Sequence, residues 1–280
     1  KQYLYYQRGR ERRDRAKYEE MITFARALPS VRGEVEQLLT RDTELTRERV
    51  LACAVRLLDR GFFRIGSEDY AARNETFGLA TMRKQHVRLE DDFNMVFDYT
   101  AKHGKQVVRG VVDPLVYDIV GQLKRRRLGG DELLAYRVGK QWRDIRSADI
   151  NIFLKEITGG DFSAKDFRTW NGTVLCAVAL AASAEVAPTQ TARKRAVARA
   201  VKEVAHYLGN TPAVCRASYI DPRVIDRYTG GVTIRPALEQ VVEHMEPGDV
   251  PTQHPLIEEA VIDLLDGTGA AQSPGLAKAA

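Results

Sequence analysis

The chain has 280 residues, of which 44% are hydrophobic and 29% charged, as expected for a globular protein with a sizeable core. It lacks the run of about eighteen apolar residues that a membrane span needs. The three cysteines, Cys53, Cys176 and Cys215, do not have metal-ligand spacing and fit a reducing cytoplasm. The net charge of +5 is uneven, because residues 237–280 hold eight acidic residues against the single Lys278. The basic remainder indicates a polyanionic partner.

Residues 1–20 are aromatic and then basic, and they look like the end of something larger. The chain opens on a lysine rather than on a start methionine or a signal peptide, so we expect residues upstream of it. Helical spacing dominates residues 21–60. Thr46 is a favourable N-cap for a helix whose apolar face contains Val50, Ala54, Leu57 and Leu58.

Residues 79–112 have a different pattern, rich in β-branched and aromatic side chains. Three such runs occupy residues 86–89, 95–99 and 106–112, and a Lys102-His-Gly-Lys105 turn joins the last two. This pattern predicts a small antiparallel sheet with a hairpin. A lysine at the tip of the turn can reach a ligand.

Helical patterns return after residue 114. Ser147 and Ser163 both fit as N-caps, the second opening a helix over residues 164–182. Residues 192–208 are amphipathic, with one apolar stripe formed by Val197, Val201, Val204 and Leu208. Residues 255–260 fit either a solvated tail or a packed final helix.

The predicted fold is therefore mainly α with one small antiparallel β-sheet, an α+β class. We predict a domain over residues 21–266, preceded by a linker segment and followed by a disordered tail over residues 267–280.

Residues 208–222, LGNTPAVCRASYIDP, are the most informative segment for chemistry. They place Tyr219 after a helix end and a short spacer, where a tyrosine can attack a DNA phosphodiester. Such a reaction needs cations to stabilise the phosphorane, and Arg64, Lys102 and Arg168 are candidates. The sequence contains no phosphate-binding GxxxxGK[ST] loop and no carboxylate cluster of the kind that binds magnesium. It therefore predicts neither a cofactor nor a catalytic metal.

These segments together resemble the type IB DNA topoisomerases, in particular their short bacterial and poxviral members. The opening Lys1-Gln-Tyr-Leu-Tyr5 is similar to the end of the family's N-terminal β-rich domain, which implies that Gln2, Tyr3 and Tyr5 contact DNA and that residues 1–20 are the remnant of that domain and its linker. Residues 62–89 resemble the region of the first catalytic arginine. They carry over Arg64 as catalytic and Tyr70 as a DNA contact.

The resemblance extends to the other catalytic elements. The hairpin ending in Ala101-Lys102 is similar to a family strand that ends in Gly-Lys, with alanine replacing glycine and Lys105 as the alternative register. Lys165-Asp-Phe-Arg168-Thr matches a Lys-Asp-x-Arg-Thr element, and Ser218-Tyr219-Ile220 matches the nucleophile motif. Asn210 occupies the position where poxviral members have histidine. An asparagine at this position is associated with bacterial members.

The resemblance implies the tyrosine recombinase/type IB topoisomerase catalytic fold and relaxation of positive and negative supercoils through a 3′-phosphotyrosyl intermediate. The implied catalytic residues are Tyr219, Arg64, Lys102, Arg168 and Asn210. Lys84, His86 and Lys105 are further candidates for DNA contact. The expected partner is double-stranded DNA, and the expected state is a cytoplasmic, nucleoid-associated monomer.

Two alternative functions are also compatible with the sequence. A tyrosine recombinase shares the same fold and chemistry, but it usually has histidine where Lys165 and Asn210 stand. A non-catalytic DNA-binding module would also explain the basic residues, and in that case Tyr219 would be an aromatic residue that packs in the core. Basic clusters such as residues 8–13 and 124–127 also fit solvated surfaces.

Overall fold

The structure, a computed structural model, describes residues 7–244 and 251–267, with side chains from residue 16 onward. These residues form eleven α-helices and two small antiparallel sheets, which confirms the predicted α+β class. They divide into two compact units. One is Arg26–Arg168, called the sheet unit below, and the other combines Lys1–Ala25 with Thr169–Ala280, called the helical unit.

The first helix, α1 (Gln7–Arg41), contributes to both units. It runs without a break across the domain boundary predicted between residues 20 and 21. The division into domains stays a prediction, but the basic segment that follows residue 7 is helical. The predicted disordered tail after residue 267 lies outside the described residues.

Helix α2 (Arg47–Gly61) lies in the sheet unit and begins where the sequence predicted. The Thr46 hydroxyl accepts a hydrogen bond from the Arg49 backbone nitrogen at 3.3 Å, which confirms the N-cap. The predicted apolar face is buried in the core. Phe62 ends the helix in the left-handed region, at φ 55°.

The predicted sheet forms from β1 (Val87–Leu89), β2 (Asn94–Ala101) and β3 (Lys105–Val112). The strands are antiparallel in the order β1-β2-β3, and Ala101 pairs with Lys105 at the end of the hairpin. His103 at φ 65° and Gly104 at φ 70° turn the chain between them. The hairpin prediction is confirmed.

A second sheet shows that the prediction of a single sheet was wrong. After α3 (Glu68–Asn74) and α4 (Pro114–Arg125), the strands β4 (Ala135–Val138) and β5 (Gln141–Asp144) form a separate hairpin. Gly139 turns it at φ 59°. The short strands alternate only weakly between apolar and polar side chains, so their signal was easily missed.

One of the two predicted serine caps is displaced. Helix α5 spans Ser147–Thr158, so Arg146 occupies the N-cap position and Ser147 is the first helical residue. The Glu68 carboxylate explains the shift, because it accepts from the Ser147 backbone nitrogen at 2.7 Å and from its hydroxyl at 2.8 Å. Helix α6 spans Ala164–Ala182 directly after Ser163, as predicted.

The helical unit continues with α7 (Gln190–Leu208), α8 (Pro212–Ser218), α9 (Pro222–Thr229), α10 (Arg235–Val242) and α11 (Pro255–Asp266). The valine and leucine stripe predicted on α7 is buried. Helix α11 is packed rather than solvated, since Ile257 and Val261 are fully buried and Glu258 accepts from the Trp170 indole nitrogen at 3.0 Å. In the described ranges, no helix is long and apolar enough to cross a membrane.

Candidate active site

Tyr219 lies in the three-residue connection between α8 and α9. Its backbone nitrogen donates to the Cys215 carbonyl at 2.9 Å, and its own conformation, φ −133° and ψ −1°, ends the helix. The next two residues, Ile220 and Asp221, are fully buried, whereas Tyr219 is half-buried. Ile220 and Asp221 therefore anchor the connection in the core, and Tyr219 retains access to solvent.

Helix α6 passes very close to this connection at Gly172. A Cβ atom at Gly172 would lie 2.6 Å from the Tyr219 carbonyl oxygen and 3.1 Å from a Leu208 methyl carbon. Contacts under 3.0 Å essentially never occur for a Cβ, so glycine is what permits the approach. The nucleophile candidate is thus packed directly against the α6 backbone.

Asn210 is positioned by the end of α7. Gly209 adopts φ 65°, and the backbone nitrogen of Asn210 donates to the Ala205 carbonyl at 2.9 Å while that of Gly209 donates to His206 at 3.1 Å. This double closure is a Schellman motif, which favours glycine at the left-handed position. Asn210 and Tyr219 therefore lie just before and just after α8.

Two arginines bind consecutive carbonyl groups at the C-terminal end of α2. Arg168 Nη1 donates to the Phe62 carbonyl and Arg109 Nη1 to the Gly61 carbonyl, each at 2.5 Å. These carbonyls lie at the negative end of the helix dipole, which attracts cations. Arg168, predicted to be catalytic, is only 4% exposed. Arg109 comes from β3 and was not predicted.

Three arginines influence the same buried residue, Tyr99. Burial raises the pKa of this tyrosine, and the guanidinium groups of Arg109, Arg168 and Arg64 each lower it. All three charges therefore act electrostatically on one phenol in the sheet unit, and we call Arg64, Arg109 and Arg168 the arginine cluster. The structure thus brings together both predicted catalytic arginines from distant parts of the sequence. An arginine on the inward-facing side of β3 was the signal that could have indicated Arg109.

Lys102 is exposed at the start of the hairpin turn, as predicted. Its ammonium lies 5.8 Å from the centre of the Tyr70 ring, a cation–π contact that places Tyr70 beside it. Tyr70 is 38% exposed on α3. Lys105 is exposed as the first residue of β3. Lys102 and Lys105, the two candidates for the catalytic lysine, are therefore on opposite sides of one turn.

Lys84 and His86, predicted DNA contacts, take part in local packing. Lys84 Nζ donates to the Arg126 carbonyl at 3.0 Å, and desolvation by burial lowers its pKa. His86 Nδ1 accepts from the Arg83 backbone nitrogen at 3.1 Å, and its ring centre is 4.5 Å from that of Phe77. Their DNA contact stays a prediction. The other three predicted contacts, Gln2, Tyr3 and Tyr5, lie outside the described residues.

Across the part of the chain that the structure describes, no three His, Cys, Asp or Glu side chains form a group that could hold a metal ion. Cys53 and Cys176 are buried, and burial raises the pKa of each thiol to about 12. These two cysteines are therefore unreactive small hydrophobic residues at neutral pH.

The sequence of the chain matches a known protein family over most of its length. A family model described as "Eukaryotic DNA topoisomerase I, catalytic core" matches residues 7–240, which is most of the chain. The chain belongs to this family. The matched range contains Tyr219, Asn210 and the arginine cluster.

Named relatives agree with this assignment. The chain is 24% identical over 238 residues to a protein named DNA topoisomerase 1B from Acanthamoeba polyphaga mimivirus, covering 81% of this chain and 69% of the relative. It is 27% and 30% identical to proteins named DNA topoisomerase 1 from Daucus carota and Schizosaccharomyces pombe. Those two matches cover 46% and 47% of this chain but only 15% of each relative.

Proposed function

We propose that this chain relaxes supercoiled double-stranded DNA as a type IB topoisomerase, acting on positive and negative supercoils without ATP. The observation that carries the proposal is the family match over residues 7–240. That range includes every predicted catalytic residue, namely Arg64, Lys102, Arg168, Asn210 and Tyr219.

In the proposed reaction the phenolic oxygen of Tyr219 attacks a DNA phosphorus atom opposite the 5′ oxygen of the next nucleotide. A bond forms between phosphorus and the tyrosine oxygen as the bond to the 5′ oxygen breaks. The phenolic proton passes to water, and the 5′-hydroxyl end is free to rotate. Because the 3′-phosphotyrosyl ester conserves the phosphodiester energy, the reverse reaction reseals the strand without a nucleotide.

Arg64 and Arg168 stabilise the extra negative charge on the nonbridging oxygens in this proposal. Guanidinium groups remain charged at any relevant pH and offer paired donors to a phosphate. A well-placed donor of this kind contributes about 3–4 kcal/mol to the transition state. The electrostatic effect of both groups on Tyr99 supports a shared role. Asn210 adds a neutral donor to the same oxygens.

Lys102 protonates the departing 5′ oxygen in this proposal, because an alkoxide is a poor leaving group. A lysine ammonium can donate that proton as the bond to phosphorus breaks. The exposed position of Lys102 at the hairpin turn supports the role. We further propose that Tyr70 and Lys105, with Lys84, His86, Gln2, Tyr3 and Tyr5, contact the duplex.

We propose a monomer that works on chromosomal DNA in the cytoplasm of a bacterium, associated with the nucleoid. Asn210, in the place where poxviral members have histidine, supports the bacterial-type assignment. The partner is duplex DNA, which the basic charge of the first 236 residues favours.

A relaxation assay tests the proposal. The wild-type chain is expected to relax a supercoiled plasmid in EDTA without ATP and to form a detergent-stable DNA adduct. Tyr219→Phe is expected to bind DNA but to form no adduct. A recombinase, which needs paired specific sites, would leave the plasmid supercoiled, and a non-catalytic binding module would give no adduct. Either result would contradict the proposal.

A further inference from the structure

Helix α1 contacts the backbone on both sides of Tyr219. Lys17 Nζ donates to the Ser218 carbonyl at 2.6 Å, and the Tyr18 hydroxyl donates to the Ile220 carbonyl at 2.8 Å. Two consecutive α1 residues therefore bind the two carbonyl groups that flank the nucleophile candidate. All of these residues belong to the helical unit.

The Lys17 contact fits the local electrostatics. Ser218 is the last residue of α8, so its carbonyl lacks a partner within that helix and lies at the negative end of the helix dipole. A lysine ammonium is the type of group that this position favours. The same ammonium lies 4.4 Å from the centre of the Tyr18 ring, which restricts where it can go.

The Tyr18 contact is shielded from water. Tyr18 is 5% exposed and Ile220 is fully buried, so the hydroxyl–carbonyl bond lies inside the protein. A buried carbonyl deprived of its donor is costly, which makes such a contact a firm constraint on backbone position. Tyr18 thus fixes the chain directly after Tyr219.

A third α1 residue extends the contact to the start of α9. Glu19 accepts from Arg223 Nη1 at 3.0 Å, and Arg223 Nη2 donates to the buried Asp221 carboxylate at 2.7 Å. The Asp221 backbone nitrogen in turn donates to the Thr173 hydroxyl of α6 at 3.1 Å. The connection that carries Tyr219 is therefore held from α1 along its length and from α6 on one side.

We propose that Lys17 and Tyr18 are positioning residues for DNA cleavage, and that they act by fixing the backbone of Tyr219 for in-line attack. This inference rests on the proposed function, since it assumes that Tyr219 is the nucleophile. Reaction rates depend steeply on such alignment, and a shift of about 1 Å costs about 10²-fold. Neither residue needs to contact DNA for the effect.

The test compares two tyrosine-to-phenylalanine variants of the whole 280-residue chain. Tyr18→Phe removes the hydroxyl bound to Ile220 and keeps the ring. Tyr228→Phe, the matched control, removes a hydroxyl of the same unit that is buried and makes no hydrogen bond within the described residues. The readouts are the single-turnover rate constant for adduct formation at saturating DNA, and the Kd for the same duplex.

We expect Tyr18→Phe to cleave about tenfold more slowly than wild type at saturating DNA with an unchanged Kd, and Tyr228→Phe to cleave at the wild-type rate. Equal rates for the two variants would overturn the inference and leave the proposed function intact. A Tyr18→Phe defect in Kd alone would also overturn it. A wild-type chain that forms no adduct would overturn the proposed function, and the inference with it.

Lys17 provides a second, independent test in case Tyr18→Phe does not fold. Lys17→Met removes the charged donor and is expected to slow cleavage at saturating DNA about tenfold. Lys17→Arg keeps a cationic donor of similar reach and is expected to restore at least half of the wild-type rate constant. If Lys17→Met cleaves as fast as wild type, or if Lys17→Arg is no better than Lys17→Met, Lys17 does not position the nucleophile.

Discussion

Gly172→Ala is the substitution that perturbs the nucleophile candidate most directly without changing the tyrosine itself. The new Cβ would lie 2.6 Å from the Tyr219 carbonyl oxygen, and ordinary contact begins at 3.4 Å. Since both atoms belong to backbones or their direct attachments, α6 or the Tyr219 connection must move by about 0.8 Å. We expect the connection to move, because it is three residues long and α6 is a regular helix.

The displacement sets the size of the expected effect. A shift of nearly 1 Å in a reacting group costs about 10²-fold in rate, so the single-turnover cleavage constant should fall about 30- to 100-fold. The free energy of unfolding should change less than the activation free energy of cleavage. Alanine gains about 1 kcal/mol over glycine inside a helix, and overpacking costs about 1–3 kcal/mol, so the variant should be destabilised by at most about 2 kcal/mol.

The matched control is Gly33→Ala on α1, where a Cβ would meet no described atom within 4 Å outside its own helix. This variant should gain about 1 kcal/mol in the free energy of unfolding and cleave at the wild-type rate. Both variants are compared by quenched-flow adduct formation and by denaturant unfolding. If Gly172→Ala cleaves at the wild-type rate, the packing of Tyr219 against α6 does not determine the position of the nucleophile.

Lys102, Arg168 and the buried cysteines can each be tested separately. Lys102→Ala should slow cleavage about 10²- to 10⁴-fold, and a substrate with a bridging 5′ sulfur should restore the rate because a thiolate leaves without a proton. Arg168→Lys should slow cleavage about 10²-fold, because one ammonium cannot serve both the Phe62 carbonyl and a phosphate. The folded chain should leave Cys53 and Cys176 unalkylated by iodoacetamide at pH 8, because burial raises the pKa of both thiols to about 12.

Lys105→Ala is the matched control for the assignment of Lys102 as the general acid. If Lys105→Ala, rather than Lys102→Ala, cleaves slowly and the 5′ sulfur substrate restores its rate, the general acid is Lys105. Wild-type cleavage by Arg168→Lys would show that the guanidinium fork is dispensable. Mass-spectrometric detection of label on Cys53 in the folded chain would show that its environment opens to solvent.

Elements whose cause is local were predictable from the sequence. Ser163 and the apolar run after it define α6 at residues 164–182, and Thr46 defines the start of α2. The β4–β5 hairpin was missed because its strands have four residues each and weak alternation. The Ser147 cap was displaced by Glu68, a partner distant in the sequence, which local capping rules do not include.

The candidate site was predictable only in part, for the same reason. A resemblance that covers several short motifs in order predicts the catalytic residues Tyr219, Arg64, Lys102, Arg168 and Asn210. Arg109, Lys17, Tyr18 and Gly172 carry no motif, and their importance comes from contacts with residues far away in the chain. Lys17 and Ser218, for example, are 201 residues apart. Only the folded structure shows that they meet.

The most direct test of the central claim is peptide mapping of the DNA adduct trapped in denaturant. Trypsin is expected to release residues 217–223, Ala-Ser-Tyr-Ile-Asp-Pro-Arg, a peptide that contains Tyr219 as its single tyrosine. The proposed mechanism predicts a nucleotide attached through its 3′ phosphate to Tyr219. A nucleotide on Ser218, on a peptide from elsewhere in the chain, or attached through a 5′ phosphate would contradict the mechanism.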